Sequence, residues 1–137
     1  QALKDGTIDV IATDHAPHAP EEKSGGYEKS LNGIVGLETA FPALYTRLVL
    51  PGRLNLSRLL DVMCLAPRRR FGIPGGIEEG AAADIAVIDL ASMWVVDPEK
   101  FLSLGRATPF EGMRLQGEAV LTMVGGEVVW QKEGFSC

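Results

Sequence analysis

The chain has 137 residues, of which 46% are hydrophobic and 23% charged, with a net charge of −5. That balance suits one folded domain and argues against a disordered chain. It also argues against a nucleic-acid partner, because phosphate backbones are held by clustered Lys and Arg. The longest apolar stretches fall well short of the roughly 20 residues that cross a bilayer, and no basic-then-apolar leader opens the chain. Cys64 and Cys137 have neither metal-type nor redox-type spacing, which fits a reducing, cytoplasmic setting better than a disulfide scaffold.

Residues 1–6 (Gln-Ala-Leu-Lys-Asp-Gly) read as the last turn of a helix capped by Gly6. A helix without a beginning suggests a piece of a longer protein. Residues 7–13 (Thr-Ile-Asp-Val-Ile-Ala-Thr) are short, apolar and β-branched, the pattern of a buried parallel strand. Residues 14–29 are polar and punctuated by Gly and Pro, hence a loop. Over 33–50, Leu37, Phe41, Leu44, Tyr45 and Leu48 fall on one helical face; Glu38 suits the first turn, and Pro42 marks a kink or the true start. Pro51-Gly52 ends this helix.

A second helix is expected from an N-cap at Ser57 through Leu59, Leu60 and Met63, and a short third one from Pro67 to Gly72. From Ile73 onward, glycines and β-type runs take over: 83–90, 93–96, and 119–130 with Gly125-Gly126 at its centre, a hairpin signal. A boundary is therefore expected near Ile73, separating an α/β segment (1–72) from a β-rich module (73–137). Trp94, Phe110 and Trp130 are expected to fill the core of that module.

The chemistry is concentrated after the first strand. Side chains alternate along a strand, so Ile8, Val10, Ala12 and Asp14 share one face, which sets Asp14 at the strand's carboxyl end. Parallel α/β folds place their reactive groups there. A buried carboxylate needs a partner, and a metal ion is one. His18 lies four residues on, beyond the stiffening Pro17, and could reach the same mouth, whereas His15 is expected to point elsewhere. A lone Asp at a strand end is more often a helix cap or a loop acceptor than a ligand, and a lone His is usually a packed or solvent-facing side chain. Residue types alone leave both readings open.

Residues 12–18 (Ala-Thr-Asp-His-Ala-Pro-His), 21–23 (Glu-Glu-Lys) and 32–42 (Asn-Gly-Ile-Val-Gly-Leu-Glu-Thr-Ala-Phe-Pro) resemble the final barrel strand, loop and helix of bacterial-type dihydroorotases. The resemblance continues through the proline-started helix at 67–72, the run 80–89 (GAAADIAVID), the loop 108–112 and the hairpin 125–129, so it spans essentially the whole chain. The later segments are shared by many amidohydrolases. The Asp14-to-His18 run is the discriminating piece, since hydantoinases and allantoinases usually lack the second histidine at that spacing.

The resemblance implies a fold and a function. The fold is the C-terminal part of a metal-dependent (β/α)8 TIM barrel (1–72) plus the C-terminal half of a small composite β-sandwich (73–137). The activity is reversible, zinc-dependent cyclisation of N-carbamoyl-L-aspartate to L-dihydroorotate in pyrimidine biosynthesis. It implies Asp14 as zinc ligand and proton carrier, His18 as a binder of the substrate carboxylate, and Asn32 and Gly33 as substrate contacts through the main chain. Two zinc ions are expected per complete site, with one ligand in this chain. A full barrel needs about 250 residues, so the isolated chain is expected to be inactive. The expected partner is the small-molecule substrate, with a homodimer or an aspartate transcarbamoylase complex as possible assemblies. Another cyclic amidohydrolase, or a non-catalytic scaffold for a transcarbamoylase, stays open. Plainer readings are expected elsewhere: Arg68, Arg69 and Arg70 as a solvated helix face, Glu38 as helix-start charge, Thr13 as a brace, and Ala66, where the family often has Asn, as a changed helix cap.

Overall fold

In the computed structural model, residues 1–136 are described; Cys137, the second of the two thiols, lies outside them. The chain opens with a single turn, α1 (Ala2–Asp5), closed by Gly6 in the left-handed conformation, as the sequence suggests. The next segment departs from expectation. Residues 7–13 join no sheet: 7 and 8 form a bend, 9–13 have no regular structure, and Ile8 is 47% exposed. A strand exists only through its neighbours' hydrogen bonds, and the described residues supply no flanking strand. Its backbone is tied by two hydrogen bonds, from Ile8 N–H to the Ala2 carbonyl at 3.0 Å and from Ile11 N–H to the Val62 carbonyl at 2.9 Å, and just beyond it by an isolated parallel bridge between His15 and Ile34.

The following loop is more ordered than its composition suggests. It contains two single-turn helices, α2 (Pro20–Lys23) and α3 (Gly26–Lys29). Pro20 starts α2 where a missing N–H costs nothing, and Glu22 Oε2 accepts from the Ala19 N–H at 2.9 Å. The main helix, α4 (Leu37–Leu44), starts four residues later than its apolar pattern suggests and runs into a wide π-helical turn, Tyr45–Val49. Pro42 lies inside it and does not start it.

The expected second and third helices form one continuous run: α5 (Leu56–Leu60), a π turn (Asp61–Leu65) and α6 (Ala66–Phe71). Its N-cap is Asn55, whose Oδ1 accepts from the Arg58 N–H at 2.7 Å; Ser57 is already helical. Pro67 therefore opens no separate helix. Proline cannot donate to the helical ladder, and the wide turn just before it gives the backbone room to accommodate that gap. Ala66 is buried in mid-run and caps nothing, which corrects the expectation of an altered cap. Gly72 ends the run in the left-handed conformation.

Three strands follow in one antiparallel sheet, ordered β1-β2-β3: β1 (Ile85–Val95), β2 (Arg114–Val124) and β3 (Glu127–Gln131). The two runs expected at 83–90 and 93–96 are one strand with an irregularity between Asp89 and Met93. Asp89 Oδ1 accepts from the N–H groups of Ala91 and Ser92, which supplies partners where the ladder is interrupted. β2 begins at Arg114, ahead of the apolar run that flagged it, and the turn to β3 is at Gly125-Gly126 as expected.

The helices and the sheet share their interior. Val35 and Ala43 pack with Val96, Phe101 and Leu115, and Trp94 and Phe110 lie against this cluster. Tyr45 and Leu59 form a second cluster with Leu54, lined by Leu3, Ile11, Phe41 and Leu90. Phe41 and Tyr45 stack with centroids 5.6 Å apart. Residues 71–80, where the sequence changes texture, are exposed. Among the described residues no helix is long and apolar enough to cross a membrane.

An ion-pair network fastens the opening segment to α5 and α6. Arg58 donates to the Leu3 and Ile8 carbonyls and to Asp61; Arg69 also reaches Asp61, and Arg70 pairs with Asp9. Arg69 and Arg70 are thus more than a solvated face. The hydrogen bond from Arg70 holds the Asp9 carboxyl below its ordinary value, and that from Arg69, helped by Arg58, does the same for Asp61. The stability these pairs supply is present above the ordinary carboxylate value of 3.8 and is lost as pH falls through the lower folded values. We expect the urea midpoint to fall on acidification below that value, and to fall less steeply in the Asp9→Asn/Asp61→Asn double variant. An equally steep acid limb in that variant would remove the network from the account.

Candidate functional site

The backbone just after residues 7–13 is unusual. Asp14 is the sole non-glycine among the described residues with positive φ, at 47°. The left-handed conformation is uncommon for L-residues and concentrates at functional sites, although Asp tolerates it better than most. Its side chain is exposed, and none of the described hydrogen bonds or ion pairs engages its carboxylate. Just beyond it, the chain locks onto 34–37. Ala16 N–H reaches the Ile34 carbonyl at 3.0 Å. His15 turns to the start of α4, where Nδ1 accepts from the N–H of Gly36 at 3.1 Å and of Leu37 at 3.4 Å. A ring nitrogen that accepts carries no proton, so the neutral ring holds its proton on Nε2. His15 thereby satisfies donors that every helix start leaves free.

The second half of the loop is gathered around two side chains. His18 Nε2 meets the Asn32 carbonyl at 2.9 Å, and Nδ1 lies 3.5 Å from Glu22 Oε2. Lys23 Nζ donates to the carbonyls of Leu31 at 2.6 Å and Gly33 at 3.0 Å. Gly33 is required by its surroundings: its φ is 133°, and a Cβ there would lie 2.7 Å from both Ala16 Cβ and the Ala16 carbonyl oxygen, and 3.2 Å from His18 Cδ2.

A third layer comes from the β-rich part. Glu38 accepts from the N–H groups of Leu102 at 3.0 Å and Ser103 at 3.1 Å, and Val35 N–H reaches the Ala107 carbonyl at 2.8 Å. Glu38 is thus a backbone clamp, beyond being charge at a helix start. Gly105 lies so close to Pro17 that a Cβ would come within 2.7 Å of Pro17 Cβ.

The structure brings His18, Asn32 and Gly33 into one cluster and links Asp14 to it through the neighbouring backbone of Ala16 and Ile34. No hydrogen bond or ion pair among the described residues joins the Asp14 carboxylate to the other three. Reasoning from residue types missed His15, Lys23 and Glu38. For Lys23 and Glu38 no local pattern signals the role, since the acceptors or donors are backbone groups distant in sequence. For His15 likewise no local pattern signals the role, since 21 residues separate it from Gly36. Among the described residues no group of three or more His, Cys, Asp or Glu is disposed to hold a metal ion.

The arrangement has relatives. The profile of the amidohydrolase family matches residues 1–129. The chain belongs to the amidohydrolase family. It is 52% identical over 134 residues to the dihydroorotases of Bacillus cytotoxicus and Halalkalibacterium halodurans, covering 97% of this chain and 31% of each of theirs. This amidohydrolase chain thus spans about a third of the length of those curated relatives. Among solved structures, the L-hydantoinase (dihydropyrimidinase) from Arthrobacter aurescens superposes with a TM-score of 0.87 at 40% identity, over 99% of this chain and 32% of that one. A D-hydantoinase from a Thermus species follows with a TM-score of 0.85 at 30% identity, over 98% of this chain and 31% of that one.

Proposed function

We propose that this amidohydrolase chain supplies one side of the active site of a dihydroorotase, which interconverts N-carbamoyl-L-aspartate and L-dihydroorotate in pyrimidine biosynthesis. In this reading it holds the last strand, site loop and terminal helices of a barrel (1–72) and part of a β-sandwich (73–137). The observation that carries the proposal is the cluster of His18, Asn32 and Gly33 beside an exposed, left-handed Asp14, in a chain 52% identical to dihydroorotases across nearly its whole length.

Asp14 is the proton carrier. In ring opening its carboxylate takes the proton of the attacking water as oxygen bonds to the ring carbonyl carbon, and passes it to the ring nitrogen as the carbon–nitrogen bond breaks. Ring closure reverses both transfers. On the other side of the loop, His18 donates from Nε2, shared with the Asn32 carbonyl, to a carboxylate of the anionic substrate. The N–H groups of Asn32 and Gly33 take a further substrate oxygen.

Zinc fits the donor chemistry to the extent of one ligand. An exposed carboxylate free of protein partners is an ordinary zinc ligand, and Asp14 is that; the other ligands would come from beyond the described residues. When bound, zinc supplies Lewis acidity and brings a coordinated water toward a pKa of about 7.

A second reading, hydantoin-type hydrolysis, is favoured by the superposition on the L-hydantoinase. The test is to assay the complete protein carrying this chain with N-carbamoyl-L-aspartate and with hydantoin. We expect kcat/KM for dihydroorotate formation to exceed that for hydantoin by roughly a hundredfold or more, as expected where a site built for polar partners meets a substrate that lacks them. Preference for hydantoin would overturn the proposal in favour of the second reading. Absence of both activities together with absence of bound metal would favour a scaffold role.

A further inference from the structure

Lys23 has no role in the chemistry above, yet the site loop is arranged around it. Its Nζ binds the carbonyls of Leu31 and Gly33, and the carbonyl between them, of Asn32, meets His18 Nε2. The Lys23 carbonyl in turn accepts from Ser30 Oγ at 2.8 Å, and the Leu31 N–H reaches the Glu22 carbonyl at 3.0 Å. Three consecutive carbonyls are therefore committed to side-chain donors of the same loop.

This has a stereochemical consequence. No peptide bond here is cis. In a trans peptide the carbonyl of one residue and the N–H of the next point in opposite directions. Holding the Leu31 carbonyl fixes the Asn32 N–H, and holding the Asn32 carbonyl fixes the Gly33 N–H. Neither of these N–H groups has a partner among the described residues. Adjacent, oriented and uncommitted N–H groups form an element that takes an anionic or carbonyl oxygen. Gly33 lacks a Cβ to restrict its own peptide planes, so the restriction must come from outside.

We propose that Lys23 is a positioning residue that orients the Asn32 N–H toward the substrate through the Leu31 carbonyl and, by holding the Gly33 carbonyl, restrains the residue whose N–H His18 orients through the Asn32 carbonyl; this rests on the reading that Asn32 and Gly33 contact the substrate. An ammonium suits the task. It has three donors on a compact charge, and one group can draw two carbonyls together that would otherwise repel. Asp14 is held by different links, through Ala16, Ile34 and His15, none of which involves Lys23. The effect of losing Lys23 therefore falls on substrate binding, with the proton transfer left in place.

The test uses the complete protein with Lys23→Met, which keeps the apolar stem and loses the donors, and Lys23→Arg, which keeps charge and donors. In Lys23→Met we expect KM to rise roughly tenfold or more, while kcat changes by less than about threefold. Lys23→Arg should bring KM back to within about threefold of the parent. The amide resonances of Asn32 and Gly33 should move in Lys23→Met and return in Lys23→Arg. A fall in kcat at constant KM, or unmoved amides, overturns the proposal. If the parent does not act on N-carbamoyl-L-aspartate, the functional reading fails separately, and the two amide resonances decide the role of Lys23 in the same way. If Lys23→Met does not fold, a folded Lys23→Arg that binds as the parent does supports the proposal, and one with KM raised more than about tenfold overturns it.

Discussion

Replacing Asp14 by Asn in the complete protein is expected to lower kcat by about 10²–10⁴-fold from the lost proton transfer alone, with a further loss if a metal ligand goes with it. Asn is the informative substitution. It has nearly the same shape, and it tolerates the left-handed conformation as readily as Asp. The backbone at φ 47° therefore has no new reason to move. Because the side chain is exposed, thermal stability should change little, by about 0.5 kcal/mol or less. Steady-state kinetics beside a melting curve would show a folded, inactive protein. Turnover close to that of the parent would strip Asp14 of its assigned role, and a large loss of stability would show that the carboxylate is structural.

Gly33→Ala is expected to damage both stability and binding. The new methyl would meet the Ala16 Cβ and carbonyl oxygen at 2.7 Å, with His18 Cδ2 at 3.2 Å behind them, in a backbone conformation at φ 133° that L-residues rarely adopt. Conformational strain and overpacking each cost about 1–3 kcal/mol, so a destabilisation of roughly 2–4 kcal/mol is expected from urea unfolding. KM should rise as the Asn32–Gly33 segment shifts. Adding Ala16→Gly should recover only part of the loss, because it removes one of the two closest atoms and leaves the carbonyl oxygen. A Gly33→Ala protein of unchanged stability and KM would mean that the loop can open at no cost, and that Gly33 is not fixed by its neighbours.

What the sequence reveals about this chain follows the range of the interactions involved. Gly6, Gly72 and the Gly125-Gly126 turn are legible because a few adjacent residues determine them. The segment 7–13 has the composition of a strand but not its hydrogen bonds, since pairing depends on residues far away in sequence. The start of α4 is misplaced from the apolar pattern because residues 34–36 are held outside the helix by bonds to Ala16, His15 and Ala107. Ser57 looks like a cap and is not one, because Asn55 two residues earlier reaches the Arg58 N–H first. The candidate site divides in the same way. Asp14, His18, Asn32 and Gly33 come from a resemblance carried by short runs of residues. The parts that hold them in place, Lys23 on Leu31 and Gly33 and Glu38 on Leu102 and Ser103, are side chains on backbone groups up to 65 residues away, and side-chain identity at one position says nothing about which backbone it will meet.

The interior shared across residue 73 separates two kinds of boundary that are often assumed to coincide. Composition changes there, and the exposed stretch 71–80 is where the covalent thread could be cut with least disturbance. The cohesive boundary is not there: Val35 and Ala43 share one cluster with Val96, Phe101 and Leu115, and the site loop is clamped by residues 102–107. Severing the thread at that stretch would leave two polypeptides bound through the surface that shapes the site. Removing the later one would take away the groups that Pro17, Val35 and Glu38 are set against. In inheritance and in engineering alike, residues 1–72 are a segment of the chain but not a separable part of the machine.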